Sequence, residues 1–353
     1  MKILTVAGAR PQFIKAAPLT AALRARHQQV LVHTGQHYDD NMSAVFFDEL
    51  GLPAPDHHLG VGSGAHGAQT AQMLERLEAV IVDEAPDRVI IFGDTNSTLA
   101  GALAAAKLGL PLAHVEAGLR SHVRSMPEEI NRIVADHLSA YLFAPTPHAV
   151  AELAREGITR GVTLTGDIMH DALLQHAPVA AERSSILHDL GLGHRSYALA
   201  TIHRAANTDD PACLRTIVNA LGMLDEPVVL PLHPRTRAAI AGAEIRPAPN
   251  VRVTDPVGYL DMLALERGAR VILTDSGGVQ KEAYLLQVPC VTLREETEWP
   301  ETLEAGWNVL AGADPARILA AARRPAPIAE PAAVFGDGHA AERMVAALER
   351  EPA

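Results

Sequence analysis

The stretch "TDSGGVQKEA" combines residue types that bind anions, directly after the apolar run "RVIL". Gly277 and Gly278 place no Cβ atom in the way of an oxygen-rich ligand, and the N–H groups at the start of a following helix attract negative charge. Ser276 adds a hydroxyl donor, and Glu282, one turn into that helix, could accept from ribose hydroxyls. A second interpretation stays open, in which Asp275 and Ser276 cap the helix and the glycines form a tight turn.

Basic residues follow several other apolar runs. Arg10 and Lys15 lie in "GARPQFIK", where a planar guanidinium and a compact ammonium both suit phosphate oxygens. His203 in "ATIHRAAN" and His233 in "PLHPRT" end two later runs, and histidine can hold a phosphate or move a proton. Neither place has "HxxE"-type zinc spacing, so no metal site is expected there.

Three acidic residues fall at or just beyond the ends of apolar runs. They are Asp94 in "FGDTNS", Glu116 in "HVEAG" and Glu128 in "SMPEEINR". Carboxyl groups beside an anionic ligand indicate proton handling, with acid and base roles divided by their environments. Alternatives stay open: Asp94 could cap the helix "NSTLAGALAA", and Glu128 could lie in a first helical turn. Glu116 has apolar neighbours on both sides, where an unpaired carboxylate would be costly.

The elements that must position these residues are short β-rich runs that alternate with longer helical patterns. The runs are "KILTVAG", "QVLVHTG", "RVIIFGD", "LAHVEAG" and "AYLFAPT", and then "GVTLTGD", "YALATIH", "PVVLPLH", "VRVTD", "RVILTDS" and "PCVTL". Continuous apolar strands joined by crossover helices predict parallel sheets that are covered on both faces. Ligands of such sheets bind beyond the carboxyl ends of the strands. We therefore expect two doubly wound units with a site in the cleft between them.

Length and composition agree with two α/β domains. The chain has 353 residues, of which 48% are apolar and only 4% aromatic. We expect a first domain over 1–167, a second over 168–335, and a C-terminal helix at 336–353 that rejoins the first.

Charge and cysteine content narrow the class of protein further. A formal net charge of -12 argues against nonspecific binding to nucleic acid. Cys213 and Cys290 lie far apart and fit neither a disulfide framework nor a zinc pattern, which favours a reducing compartment. We find no signal peptide and no apolar window long enough to span a membrane, so a cytoplasmic location is expected.

Nine motifs, taken together and in order, resemble those of the non-hydrolysing UDP-N-acetylglucosamine 2-epimerases. They are "GARPQFIK", "HTGQH", "GDTNSTLAGALAA", "HVEAGLRS", "MPEEINR", "HR", "HPRT", "TDSGGVQKEA" and "LREETEWPE". The resemblance runs over nearly the whole chain. It implies a GT-B-like fold of two Rossmann-like doubly wound parallel-sheet domains with a nucleotide sugar in the interdomain cleft. It also implies a homodimer that acts without a cofactor.

The resemblance assigns roles to individual residues. It implies that Asp94, Glu116 and Glu128 are acidic catalytic residues and that His203 joins them. The residues that it places on the UDP-sugar are Arg10, Lys15, His233, Val257, Met262, Ser276, Gly277, Gly278 and Glu282. Within this set, "DSGG" would hold the diphosphate, Glu282 the ribose, and Val257 and Met262 the uracil.

The reaction that the resemblance implies can be derived from the chemistry of the sugar. The C2 proton of an N-acetylhexosamine is not next to a carbonyl carbon, so enolisation cannot invert this carbon. Breaking the C1–O bond to UDP while a carboxylate removes the C2 proton gives a 2-acetamidoglucal and UDP. Delivery of a proton from the opposite face and return of UDP complete the inversion, which would supply a precursor of surface polysaccharide.

Three departures from the family pattern leave the substrate open. Trp299 stands where many members have Arg, Ala206 where an acid is usual, and Gln12 where Glu is common. Trp at this position also occurs in a branch that acts on UDP-2,3-diacetamido-2,3-dideoxy-glucuronate. A GT-B glycosyltransferase, a hydrolysing epimerase and a nucleotide-sugar sensor without catalysis remain as further alternatives.

Overall fold

The computed structural model describes residues 1–36, 46–328 and 330–351. The described chain forms two compact units. Unit 1 contains residues 1–175 and 333–353, and unit 2 contains residues 176–332. Unit 2 is thus inserted between two segments of unit 1.

Unit 1 contains a seven-stranded parallel sheet with strand order β3-β2-β1-β4-β5-β6-β7. The strands are β1 (Lys2–Ala7), β2 (Gln28–His33), β3 (His57–His58), β4 (Arg88–Phe92), β5 (Leu112–Val115), β6 (Tyr141–Ala144) and β7 (Val162–Leu164). The central strands β1, β4 and β5 are almost wholly apolar and buried, as a parallel sheet covered on both faces requires.

Helices connect the strands of unit 1. They are α1 (Arg10–Arg24), α2 (His66–Glu84), α3 (Asn96–Lys107), α4 (Pro127–Leu138), α5 (Pro147–Arg155) and α6 (Ile168–Arg183), with α15 (Ala340–Leu348) near the C-terminus. Helix α15 completes one face of the core, since Met344, Val345 and Leu348 belong to the same buried cluster as Leu19, on α1, and Phe143, on β6.

Unit 2 repeats this architecture with six parallel strands in the order β10-β9-β8-β11-β12-β13. The strands are β8 (Ala198–Thr201), β9 (Val228–Pro231), β10 (Val251–Thr254), β11 (Val271–Thr274), β12 (Cys290–Thr292) and β13 (Asn308–Leu310). In each unit the strand order reverses beside the first strand, so the crevices lie at β1/β4 and β8/β11.

The helices of unit 2 cover both faces of its sheet. They are α7 (Ile186–Asp189), α8 (Ala205–Thr208), α9 (Pro211–Gly222), α10 (Pro234–Gly242), α11 (Tyr259–Gly268), α12 (Gly277–Leu285), α13 (Pro300–Glu304) and α14 (Pro315–Ala322). The buried clusters on the two faces are built mainly from Val, Leu, Ile and Ala, and one of them also contains Tyr197 and Cys290.

The prediction of two Rossmann-like doubly wound parallel-sheet domains is confirmed. Every run that the sequence predicts as a strand is one, whereas the edge strands β3 and β13 were not predicted. In the described part of the chain, no helix is both long and apolar enough to cross a membrane.

Candidate active site

The carboxyl edge of the unit 1 sheet brings together most of the predicted first-half residues. Arg10 begins α1, directly beyond β1, and its guanidinium carbon lies 4.8 Å from the centre of the Phe46 ring. Lys15 lies further along α1, while Asp94 follows β4 and Glu116 follows β5. His37, the last residue of "HTGQH", lies outside the described residues.

Lys15 and Glu116 form a buried ion pair at this edge. The Lys15 Nζ contacts Glu116 Oε2, and the two residues are 8% and 7% exposed. Glu116 adopts a φ of 73°, a left-handed conformation that is uncommon for a residue with a side chain. A Cβ atom on Gly93 would lie 3.2 Å from Lys15 Nζ and 3.3 Å from Glu116 Oε2, so the turn after β4 closely approaches the pair.

Asp94 is held by α4 and does not cap a helix. Its carboxylate is ion-paired with Arg132, and its carbonyl oxygen accepts from Asn131 Nδ2 at 2.8 Å. The N-cap of α3 is Thr95, so the capping interpretation of Asp94 is wrong. The Asp94 side chain remains 28% exposed, which leaves it accessible to a ligand.

Glu128 and Glu129 are adjacent but have different surroundings. Glu129 is 2% exposed and accepts from Ser121 N, Ser121 Oγ and His122 N at 2.8 to 2.9 Å, which fixes the loop before α4. Burial favours the neutral acid, but these donors and Arg132 hold the pKa of Glu129 below its ordinary value. Glu128 is half-buried in the first turn of α4, and no hydrogen bond or ion pair of its side chain is found among the described residues.

A buried network that the sequence did not indicate supports these turns. Asp136 accepts from Gly118 N at 3.1 Å and from Arg120 Nη1 at 2.7 Å, and its Oδ1 lies 2.7 Å from His114 Nδ1. The other ring nitrogen of His114 lies 2.7 Å from the Gly93 carbonyl oxygen. Burial raises the pKa of Asp136, but His114 and Arg120 outweigh it and hold this pKa below its ordinary value. The network ties the turn after β4 to the turn after β5.

The hydrogen bonds of Gln12 explain why an amide can stand where the family pattern has Glu. Its Oε1 accepts from Gly8 N at 2.8 Å and Ala9 N at 3.1 Å, and its Nε2 donates to Phe92 O at 2.8 Å. A carboxylate could accept the first two bonds but could not donate the third. Gln12 therefore joins the loop after β1 to the end of β4 without adding a charge.

In unit 2 the "DSGG" residues form the start of α12. Ser276 is the N-cap, and its Oγ accepts from Val279 N at 3.4 Å. The capping interpretation is therefore correct for Ser276, and it is compatible with an anion site, because the first N–H groups of a helix have no partner within the helix. Gly277 and Gly278 occupy this first turn, and a Cβ atom on Gly277 would lie 3.4 Å from Trp299 Nε1.

Trp299 lies beside this turn and holds a positive charge over its ring. It is 3% exposed, and Lys281 Nζ lies 4.0 Å from the centre of its ring. An indole thus occupies the place for which the family pattern suggests a guanidinium.

His203 is anchored by Asp275, a residue that the sequence suggests only as a helix cap. The His203 Nδ1 lies 3.0 Å from Asp275 Oδ1, and the same carboxylate accepts from the backbone N–H groups of His203 and Arg204 and from Asn207 Nδ2. Asp275 is fully buried, which raises its pKa, but His203 and the other donors hold that pKa below the ordinary value. The His203 side chain is 42% exposed and is accessible to a ligand.

His233 lies near His203 at the carboxyl edge of the unit 2 sheet. The centres of the two rings are 6.1 Å apart. His233 is the N-cap of α10, and its Nδ1 accepts from Arg235 N at 3.3 Å. Ala206 lies exposed in α8, the short helix that follows His203.

Glu282 belongs to α12, whereas Val257 lies just before α11 and Met262 lies within it. Glu282 is 5% exposed, and its Oε1 lies 3.2 Å from the Tyr259 hydroxyl, a partner that the sequence did not indicate. Val257 and Met262 are partly buried and pack against the same apolar cluster as Val279 on α12.

The structure gathers the predicted residues into one group in each unit. Arg10, Lys15, Asp94 and Glu116 lie at the carboxyl edge of the unit 1 sheet, with Glu128 in α4. The group of unit 2 consists of His203, His233, Val257, Met262, Ser276, Gly277, Gly278 and Glu282. No set of three or more His, Cys, Asp or Glu side chains in the described ranges could hold a metal ion.

Sequence comparisons identify close relatives of this chain. The sequence model of the UDP-N-acetylglucosamine 2-epimerase family matches residues 21–349. A relative from Methanococcus maripaludis, described as a UDP-N-acetylglucosamine 2-epimerase homolog, is 48% identical over 99% of both chains. The UDP-2,3-diacetamido-2,3-dideoxy-D-glucuronate 2-epimerase of Pseudomonas aeruginosa is 47% identical over 99% of this chain and 100% of its own.

A solved structure shares the fold over the same extent. The UDP-GlcNAc 2-epimerase of Methanocaldococcus jannaschii, in complex with UDP-GlcNAc and UDP, superposes with a TM-score of 0.93. The two sequences are 42% identical, and the match covers 99% of each chain.

Proposed function

The chain belongs to the UDP-N-acetylglucosamine 2-epimerase family, and we propose that it interconverts UDP-N-acetylglucosamine and UDP-N-acetylmannosamine by inverting C2. Enzymes of this family are isomerases that act on C2 of a UDP-sugar. The observation that carries the choice of reaction is the buried Lys15–Glu116 pair with Asp94 beside it at one sheet edge. C2 inversion requires such proton-handling carboxyl groups, whereas a nucleotide-sugar sensor does not.

Unit 2 would hold the UDP part of the substrate. The first turn of α12 offers the N–H groups of Gly277 and Gly278 to the diphosphate, and the exposed ring of His203 adds a donor. Glu282 would accept from the ribose hydroxyls, and Val257 with Met262 would contact the uracil. His233 would contribute a further hydrogen bond to the nucleotide sugar. The donors are already in place before the C1–O bond breaks, so they stabilise the departing diphosphate without reorganisation.

Unit 1 would handle the protons of the sugar. One carboxylate removes the C2 proton while the C1–O bond to UDP breaks, which leaves a 2-acetamidoglucal with a C1–C2 double bond. A second carboxyl group then protonates C2 on the opposite face as a UDP oxygen re-forms the bond to C1. Glu116, Asp94 and Glu128 are the candidates, and the Lys15 ammonium is ion-paired with Glu116. Arg10 and Lys15 would also contact the nucleotide sugar.

A second substrate is supported by one relative. The Pseudomonas aeruginosa enzyme that acts on UDP-2,3-diacetamido-2,3-dideoxy-D-glucuronate is nearly as similar to this chain as the Methanococcus maripaludis relative. Trp299, which lies beside the first turn of α12, is also the residue type that occurs at this position in the branch that acts on that substrate. The alternative is therefore the same C2 inversion on a UDP-diacetamido uronate.

One experiment tests the reaction and the substrate together. The protein is incubated with UDP-N-acetylglucosamine in D2O, and the recovered nucleotide sugar is analysed by NMR and mass spectrometry. We expect deuterium at C2 and a mixture of the two C2 epimers. Accumulation of free UDP with a free sugar would instead indicate a hydrolysing epimerase. If neither exchange nor turnover occurs, the assay is repeated with UDP-2,3-diacetamido-2,3-dideoxy-glucuronate, and failure with both would contradict the proposal.

The family resemblance also leads us to propose a homodimer and a role in supplying precursors of surface polysaccharide. Light scattering coupled to size-exclusion chromatography would measure the mass of the particle. A mass equal to one chain at working concentrations would contradict the homodimer.

A further inference from the structure

The hydroxyl group of Tyr259 contacts the carboxylate that we assign to the ribose. Tyr259 is 2% exposed, and its oxygen lies 3.2 Å from Oε1 of Glu282. Since an ionised carboxylate only accepts hydrogen bonds, the tyrosine hydroxyl is the donor. We propose that Tyr259 is a positioning residue that aims Glu282 at the ribose hydroxyls of the nucleotide. This inference rests on the proposed function.

The geometry of α12 makes the direction of the Glu282 side chain important. Glu282 lies four residues after Gly278, so both lie on the same face of the helix, about 6 Å apart along its axis. The diphosphate would contact the first turn, and in a nucleoside diphosphate the ribose is the next group along the ligand. Tyr259 donates to Oε1 of Glu282, and this contact restricts the directions that the carboxylate can take.

Tyr259 is suited to this task because its ring is fixed. Its ring meets the buried His176 ring edge-on, with centres 5.6 Å apart and planes at 70°. A free glutamate side chain loses rotamer freedom when it binds a ligand, whereas one already held by a rigid donor loses less. Tyr259 also lies between Val257 and Met262, the proposed uracil contacts, so one short segment would set the position of both base and ribose.

The variant Tyr259→Phe tests the inference because it removes only the hydroxyl. Binding of UDP and of 2′,3′-dideoxyuridine diphosphate, which lacks both ribose hydroxyls, is measured by calorimetry. We expect the variant to bind UDP about fivefold to tenfold more weakly, a change that corresponds to the net contribution of one typical hydrogen bond. Binding of the dideoxy ligand should stay within about twofold of the wild type, since it has no hydroxyl for Glu282 to accept from.

Tyr284→Phe provides a matched control on α12 itself. The Tyr284 hydroxyl is also buried, but it donates to the Ala332 carbonyl oxygen at 2.9 Å and not to Glu282. This variant should keep the wild-type ratio between the affinities for the two ligands.

The variant Glu282→Gln distinguishes failure of the inference from failure of the proposed function. If Glu282→Gln retains the wild-type preference for UDP over the dideoxy ligand, the proposed ribose contact of Glu282 fails and the inference about Tyr259 fails with it, whereas the proposed C2 inversion fails only if the deuterium-exchange assay is negative. If it loses the preference but Tyr259→Phe keeps it, only the role of Tyr259 is overturned. Equal weakening of both ligands by Tyr259→Phe would reveal a general loss of structure and would also overturn it.

Discussion

Glu116 is the residue whose surroundings most constrain its role. It is buried, ion-paired with Lys15 and held in a left-handed backbone conformation. This conformation costs about 1–3 kcal/mol, and residues in such conformations cluster at active sites. The structure thus shows the partner of a carboxylate that would be costly without one, given its apolar neighbours in the sequence.

Substitution of Glu116 by Gln should abolish catalysis but not UDP binding. We expect turnover and C2 deuterium exchange to fall by a factor of about 100 to 10,000, the usual contribution of a proton-transferring side chain. Affinity for UDP should change by less than about threefold, because the contacts that we propose for the diphosphate, the ribose and the uracil belong to unit 2, and Glu116→Gln would leave the Lys15 ammonium in place. Circular dichroism would verify that the variant is folded, since Lys15 loses a buried partner. A loss of UDP affinity as large as the loss of turnover would mean that Glu116 binds the nucleotide.

Asp136 makes a pH-dependent contribution to stability. Because its pKa is lower in the folded protein, its contribution is fully present above the unfolded value, near 3.9, and is lost as the pH falls through the folded value. Asp136→Asn should therefore lower the free energy of unfolding at neutral pH by about 3–5 kcal/mol, the range for breaking a buried ion pair. The difference from the wild type should narrow below about pH 4. Urea unfolding at a series of pH values measures both quantities.

The partly exposed Glu156 provides the control for this prediction. It pairs with the same Arg120, but its side chain is 27% exposed. Glu156→Gln should cost no more than about 1 kcal/mol. A constant difference between wild type and Asp136→Asn over the whole pH range would contradict the ionised state of Asp136.

At the scale of elements, the start of α12 can be tested by adding one methyl group. A Cβ atom on Gly277 would lie 3.4 Å from Trp299 Nε1 and 3.7 Å from Glu298 Oε2, which are ordinary contacts. Gly277→Ala should therefore fold with a stability within about 1 kcal/mol of the wild type. The methyl group would obstruct the diphosphate, so UDP affinity should fall about tenfold or more, an effect of at least one hydrogen bond to a charged group. Unchanged UDP affinity would exclude this turn as the diphosphate site.

Gly118 is the contrasting position in unit 1. Its φ is 85°, and a Cβ atom there would overlap the Ala149 carbonyl oxygen. Gly118→Ala should lower the thermal midpoint without changing UDP affinity per folded molecule. The pair of variants separates a glycine that the ligand needs from one that the fold needs.

The sequence predicted the residues that follow strands and missed those that support them from helices. Asp94, Glu116 and His203 could be found because the end of a short apolar run is a local signal, and parallel strands bring their carboxyl ends to one edge. Asp136 and Tyr259 carry no such signal. Each contacts a side chain more than twenty positions away, His114 and Glu282 respectively, and such a contact exists only once the helix has packed on the strand or helix that carries its partner.

At the scale of the whole molecule, α15 is required for the core of unit 1. Met344 is 1% exposed in the cluster that also contains strand residues of that unit. Met344→Ala should lower the free energy of unfolding by about 2–5 kcal/mol, whereas Glu342→Ala on the exposed face of the same helix should have little effect. Unfolding is followed by circular dichroism, which reports on both units. Fluorescence of the two tryptophans, Trp299 and Trp307, reports on unit 2 alone, so the difference between the two signals isolates the effect on unit 1. A loss of stability by Glu342→Ala equal to that of Met344→Ala would contradict this role of the buried face.

The order of the segments along the chain has a consequence for biosynthesis. A ribosome delivers residues 176–332, which contain the whole sheet of unit 2, before it delivers α15. All the strands of unit 2 are therefore available for folding on the nascent chain before unit 1 is complete. At a synthesis rate of about 5–20 residues per second, one apolar face of unit 1 stays uncovered for roughly ten seconds or more. An apolar face that stays uncovered during translation is prone to aggregate, which is the kind of surface that chaperones protect. If unit 2 holds UDP as we propose, a chain that stops before α15 should still bind UDP, while its unit 1 exposes the apolar surface that α15 covers in the complete fold.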